Sequence, residues 1–343
     1  MKALVLESVN TLNLRDFPIE ESVGAYDVKI EIKACGICGS DVHYYKEGAI
    51  GDFVVNEPMI LGHEAAGKVI EIGKKVTDLK VGDYVCMEPG VPNMQSHEVL
   101  EGNYHLDKDI SFWATPPVHG VMRETVVHPA RFCFKLPEGM TFAEGAMMEP
   151  LATGIEAAKK ARIAPGDVAL VTGSGTIGSV IALSALAGGC SKVYVSDVKQ
   201  EKLDIIGSYD NIIAVNSSKV DLVDFIMKET EGRGADVSFE ASGSTKVFPD
   251  ILSCTRRGGT IVLVGMSNDP VPLNVPLLQV RGLSIETLFR YTNTFDRAVR
   301  YIESGAINIK PLISKTFSFE DSIKAYEYAA AGHPDVIKVM IEM

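Results

Sequence analysis

The first 150 residues alternate apolar and polar positions in short runs, each stopped by turn residues. MKALVLESVN, DVKIEIKACG, GKVIEIG, VGDYVCMEPG and ETVVHPARFCFKLPEG are such runs, the later four rich in Val and Ile and bounded by Gly, Pro and Asp. A period of two predicts half-buried strands, and their succession predicts a mostly antiparallel β domain. Beyond residue 150 the period changes. VALVTG, KVYVSD, DVSFEA and GTIVLVG read as short apolar strands, with another near 211–215. Helical spacing separates them over 177–187, from Lys199 onward, over 222–230 and after Ser244. Strand–helix alternation of this kind predicts a parallel, doubly wound sheet. It stops near Ile285. An amphipathic helix over 296–304 and a terminal strand, VIKVMIEM, follow, and their texture suggests a return onto the first domain.

Composition narrows the classes. The chain has 343 residues, 46% hydrophobic and 23% charged, which excludes disorder, collagen and coiled coil. That length fits two domains and a core that needs no disulfide or metal staple. Thirty-three Lys and Arg against 45 Asp and Glu leave a net charge of −12, so nucleic acid and anionic lipid are poor partners. No apolar run approaches the ~18 residues of a membrane span. Lys2 is followed by Glu7 and Asn10 before any signal-like stretch forms. The six cysteines are sparse and form no secreted framework, so the cytoplasm is the expected compartment.

The first chemical motif follows VALVT. Gly173-Ser174-Gly175-Thr176-Ile177-Gly178 is G-x-G-x-x-G between a predicted strand and a predicted helix. The glycines permit a tight turn, close approach of backbone to a pyrophosphate and close helix–strand packing, and the helix N-terminus meets the phosphate charge. Asp197 ends KVYVSD nineteen residues after Gly178, where an acid accepts from ribose hydroxyls. A carboxylate there repels a 2′-phosphate, which favours NAD over NADP.

A second set of residues offers metal donors: Cys35, Cys38, Asp41 and His43 in one cluster, His63-Glu64 in another, and Glu149 before Pro150. A catalytic zinc keeps three protein ligands from Cys, His, Asp or Glu and one open position. Cys35 and Cys38 would also suit half a zinc knuckle or a redox pair. The knuckle lacks a second C-x₂-C, and the redox motif belongs in a βαβ unit rather than a β-rich half. On spacing alone His63 reads equally well as a ligand or a satisfied core histidine.

CGICGSDVHYY, PMILGHEAAGKVIEIG, VGDYVCMEPG, ATPP, EGAMMEPLATGIEA and FRYTNTF, in that order over nearly the whole chain, resemble the zinc-dependent medium-chain dehydrogenases. Within that family they are most similar to the polyol branch acting on sorbitol, xylitol and iditol. The resemblance implies a GroES-like catalytic domain over 1–152 and 288–343, a Rossmann NAD-binding domain over 153–287, and an active site in the cleft. By position it implies Cys38, His63 and Glu64 as zinc ligands, with Glu149 acting directly or through the metal-bound water. Cys35 falls where the family binds no metal and reads as a small buried residue. The family's structural zinc lobe uses four cysteines, where this chain has Asn93, Ser96, Val99 and Asp107. One zinc per subunit is therefore expected. Neighbouring His97, Glu98, Glu101 and His105 show no ligand spacing and read as a solvated loop.

The resemblance further implies Ser40 and His43 as a proton relay, Tyr44, Phe112, Arg290 and Tyr291 as substrate contacts, and Lys202 beside the cofactor. In the implied reaction a secondary hydroxyl of a polyol is acidified by zinc and gives up hydride to NAD, yielding the ketose. The guanidinium of Arg290 offers a fixed fork of donors for adjacent hydroxyls. His119 replaces an acid often found at its position in the branch, which bears on fine specificity. Another secondary alcohol or amino alcohol, such as butanediol or threonine, is the alternative on the same machinery. A homotetramer is the implied assembly. A non-catalytic dinucleotide-binding protein would have no use for the donors at 38, 63, 64 and 149.

Overall fold

Strand Asp27–Gly36 carries its sequence alternation into space: Val28, Ile30, Ile32 and Ala34 are buried, and Asp27, Lys29, Glu31 and Lys33 between them only half-buried. It lies inside a seven-stranded sheet ordered Cys133–Lys135, Tyr84–Met87, Glu64–Ile72, Asp27–Gly36, Lys338–Glu342 and Ile313–Ser318, with Thr125–Pro129 also paired to Asp27–Gly36. All of these pairings are antiparallel except that between Ile313–Ser318 and Lys338–Glu342. A second, three-stranded sheet joins Thr11–Asp16, Lys2–Ser8 and Met59–Ile60. Leu4, Leu6, Ile30, Ile32, Ile60 and Tyr326 are among the residues of one shared core. The computed structural model describes residues 1–267 and 269–343.

The chain divides into two units, Met1–Glu149 with Ile313–Met343, and Pro150–Leu312. The terminal strand does return to the first unit: Met340, Ile341 and Glu342 pair with Gly36, Cys35 and Ala34. The return begins later than residue 288, however. Residues 288–312 pack with the second unit, where Tyr209 Oη donates to the Asn308 carbonyl at 2.8 Å and Glu156 accepts from the Thr292 amide at 3.4 Å. The texture change near Ile285 marks the end of strand–helix alternation and not the end of that core.

The second unit is a six-stranded parallel sheet ordered Ile212–Asn216, Lys192–Asp197, Val168–Thr172, Ala235–Glu240, Thr255–Leu263 and Ser284–Thr287. In chain order this is 3-2-1-4-5-6, the doubly wound dinucleotide-binding arrangement, with its switch point between the first and fourth strands. Helices Thr176–Ala187, Gln200–Ile206, Leu222–Glu229 and Phe248–Cys254 lie close to the spans read from the sequence. The fold is therefore α/β, a GroES-like mostly β unit plus a Rossmann unit. No helix among the described residues is long and apolar enough to cross a membrane.

Candidate active site

The metal donors come together in the first unit. Cys38 is the N-cap of helix Gly39–Glu47, and His63-Glu64 open strand Glu64–Ile72. Donor atoms of Cys38, His63 and Glu64 lie within 4.8 Å of one another, the one such group of three among the described residues. A thiol, an imidazole and a carboxylate at this spacing match the donors of an open zinc site. Glu149, in the first turn of helix Met148–Lys160, is buried and lies outside that trio. Cys35 is fully buried, and burial, with Asp41 and Glu64 nearby, pushes its thiol pKa well up.

Two charged side chains hold the donors in place: Asp41, read from the sequence only as one of several possible metal donors, and Lys338, not selected from the sequence at all. Asp41 is fully buried; its carboxylate accepts from the Cys38 amide at 3.1 Å and the Gly62 amide at 3.0 Å, and lies 3.7 Å from His63 Nδ1. Burial opposes a charged His63 ring, but Asp41 and Cys38 outweigh it and lift the imidazole pKa well above its ordinary value. The spacing Cys38-x-x-Asp41 is a capping pattern and was the available signal. Lys338, from the terminal strand, places Nζ 2.6 Å from both Glu64 oxygens. Burial disfavours its charge, yet Glu64, then Cys38 and Glu149, raise the ammonium pKa above the usual lysine value. At 274 residues from Glu64, it left no local signal.

Of the other expected first-unit residues, Phe112 packs its ring 5.8 Å from that of His63, and Tyr44 is buried. Ser40 is half-buried, and His43 Nε2 sits 3.0 Å from Glu47. The 93–107 segment is more ordered than a solvated loop. It forms helix His97–Leu100 capped by Ser96, while buried Asp107 accepts from the Asn93 and Asp109 amides. Tyr104 Oη donates to Glu88 at 2.6 Å.

In the second unit the three glycines meet three separate demands. Gly173 has φ +96° and lies against Ala241 and Ser242, Gly175 has open space where a Cβ would be, and a Cβ on Gly178 would strike the Gly173 carbonyl. These are the turn, the approach and the packing contact. Thr176 and Ile177, both half-buried, open the helix. Asp197 ends its strand against this loop: Oδ2 accepts from Ser174 N and Oγ at 2.7 and 2.8 Å, and Oδ1 from Val198 and Lys199 amides at 2.6 and 3.0 Å. Burial would raise its pKa, but these donors outweigh it and hold the carboxyl below the usual range. Lys202 is half-buried on helix Gln200–Ile206. Arg290 has a left-handed backbone, φ +56°, with its guanidinium 4.8 Å from the Phe289 ring centroid, and Tyr291 is buried against Phe295.

Residues 24–138 match the family described as "Alcohol dehydrogenase GroES-like domain", and residues 176–304 match "Zinc-binding dehydrogenase". The D-xylulose reductase of Morganella morganii is 51% identical over 331 residues, covering 96% of this chain and 98% of that protein. The sorbitol dehydrogenase of Arabidopsis thaliana is 39% identical over 345 residues, covering 98% and 94%. A crystal structure of an Escherichia coli oxidoreductase of unknown specificity superposes with a TM-score of 0.95 at 31% identity, covering 99% and 98%. This chain therefore belongs to the zinc-dependent medium-chain dehydrogenases, in their sorbitol dehydrogenase branch, whose chemistry uses zinc and a nicotinamide cofactor.

Proposed function

We propose that the protein catalyses the reversible, NAD-dependent oxidation of a secondary hydroxyl of a polyol to the ketose, with xylitol and D-xylulose as the favoured pair. The Cys38–His63–Glu64 cluster, with His63 and Glu64 buried and Cys38 half-buried, carries this reading, because a module that only binds dinucleotide needs no such donor set. The name of the Morganella relative supports the pentose end of the polyol range.

In this reading Cys38, His63 and Glu64 hold the zinc, with Glu149 as a further carboxylate of the site. Zinc held there supplies Lewis-acid polarisation of the reacting oxygen and lowers the pKa of the substrate hydroxyl. Asp41 orients His63 and the Cys38 turn. Ser40 and His43 carry the released proton toward solvent; the partial exposure of His43 beside Glu47 supports that role. Phe112 and Tyr44 bound the substrate space. Arg290 and Tyr291 bind the hydroxyls beyond the reacting carbon, and the left-handed backbone at Arg290 is the strain expected at a functional position. Gly173, Gly175, Thr176, Ile177 and Gly178 cradle the pyrophosphate, with Lys202 nearby, while the fixed charge of Asp197 selects NAD over NADP.

A cytoplasmic homotetramer belongs to the same proposal. Free cysteines, five of six buried, suit a reducing compartment. Strand Ser284–Thr287 forms a sheet edge, with Val275, Val280 and Phe289 exposed nearby in sequence, which supports association through the second unit.

The test is the initial rate of NAD reduction with sorbitol, xylitol, iditol, ribitol, galactitol, butanediol and threonine, with and without prior chelation. Chelator-sensitive oxidation led by xylitol is expected. Activity confined to butanediol or threonine would overturn the polyol assignment and the role of Arg290.

A further inference from the structure

Lys338 has no role in the proposed reaction, yet it is buried and bonded at the site. It is 2% exposed, with Nζ 2.6 Å from each oxygen of Glu64 and 3.1 Å from the Ile37 carbonyl oxygen. Three acceptors match the three N–H donors of a lysine ammonium. Glu64 itself is 1% exposed and belongs to the donor trio. Its carboxylate thus faces two claimants, a fixed cation and a metal ion, and both of its oxygens are already engaged by the first.

We propose that Lys338 is a positioning residue that competes with zinc for Glu64, pairing the whole carboxylate when the metal is absent and surrendering one oxygen when it binds. The inference rests on the reading of Cys38, His63 and Glu64 as the metal ligands. Charge supports it: Asp41, Glu64 and Glu149 are buried around a thiol donor, and Lys338 is the lysine buried with them. A buried carboxylate without a partner is costly, so the metal-free site needs this counter-ion. Space supports it as well. A Cβ at Gly36 would strike the Glu64 carboxylate, so the glycine leaves that group room to turn.

Competition makes a prediction that ordinary structural support does not. Lys338→Met keeps the length and apolar stem but removes the rival cation. The zinc-free protein should become less stable, because Glu64 loses its counter-ion, while zinc should bind more tightly for the same reason. A lysine that merely braced the site would weaken both. The experiment compares full-length wild type and K338M, each stripped by chelation. It measures the zinc-free thermal midpoint and the zinc dissociation constant by competition with a chromophoric chelator. A midpoint lower by several degrees together with a dissociation constant about tenfold smaller is expected. A constant unchanged or larger, in a pair where the wild type binds one zinc that Cys38→Ser loses, overturns the competition alone. Failure of the wild type to bind zinc, or full affinity in Cys38→Ser, overturns the ligand reading and the competition with it. Should K338M not fold, wild-type crystal structures with and without zinc decide. Loss of one Lys338–Glu64 contact on loading is expected, and retention of both overturns the proposal.

Discussion

At the scale of single residues, charge that is fixed in direction matters more than charge that is present. Asp197 is held by four donors from Ser174, Val198 and Lys199, so its carboxylate is ionised and immobile beside the glycine loop. A hydrogen bond to a charged group is worth about 1.5–3 kcal/mol, roughly 10–100-fold in binding. Asp197→Ser should therefore raise KM for NAD by about that factor and admit NADP, read as the ratio of kcat/KM for the two cofactors. An unchanged ratio would remove Asp197 from cofactor choice. The same variant leaves the Val198 and Lys199 amides without their acceptor, so a modest loss of thermal stability should accompany the change. Asp41 works on the same principle, tying two backbone amides and facing His63 with one buried carboxylate.

At the scale of elements, what could be read from the sequence was whatever a local rule demands. The glycine loop was legible because each glycine answers a constraint within a few residues, namely a positive φ at Gly173, open space at Gly175 and a carbonyl against Gly178. The strand at DVKIEIKACG was legible because one face is buried. Asp107 was not, because its partner Asn93 lies 14 residues away and meets it only once the lobe has folded. His128 was overlooked for a similar reason. It lies in strand Thr125–Pro129, its ring tilted against that of Trp113 with centroids 4.2 Å apart, and with Nε2 2.8 Å from the Glu88 carbonyl oxygen. Burial depresses its pKa to about 4, although the bond to Glu88 favours the charged ring. The unfolded chain then binds a proton that the folded chain refuses, so stability is complete above pH ~6.5 and falls as the pH drops toward 4. The full loss is about 3 kcal/mol. His128→Gln can still donate to Glu88 and does not titrate, so its thermal midpoint should change less between pH 7 and 5 than that of the wild type. Parallel pH profiles would show that His128 does not set the acid sensitivity.

At the scale of the whole molecule, the metal donors lie in one unit and the dinucleotide loop in the other. Binding stabilises only the state that binds, by about 4 kcal/mol at a thousandfold excess over Kd. Zinc removal should therefore speed amide hydrogen exchange in Asp27–Gly36 and Glu64–Ile72 and leave the parallel strands Val168–Thr172 and Lys192–Asp197 unchanged. Equal acceleration in both units would contradict metal binding at Cys38, His63 and Glu64. The division was legible as a change of hydrophobic period near 150, whereas the Lys338–Glu64 pair was not, since no sequence rule links residues so far apart. The first unit is interrupted, and that imposes an order on its birth. Strands Asp27–Gly36 and Glu64–Ile72 leave the ribosome before the entire inserted unit, Pro150–Leu312, and the strand that completes their sheet comes after it. At about 5–20 residues per second that interval lasts roughly 8–30 s. Throughout it the backbone at Ala34–Gly36 lacks its neighbour from the terminal strand, and Glu64 has no lysine to neutralise it. On the proposed ligand set, the nascent chain thus presents its metal donors for that interval without the rival cation.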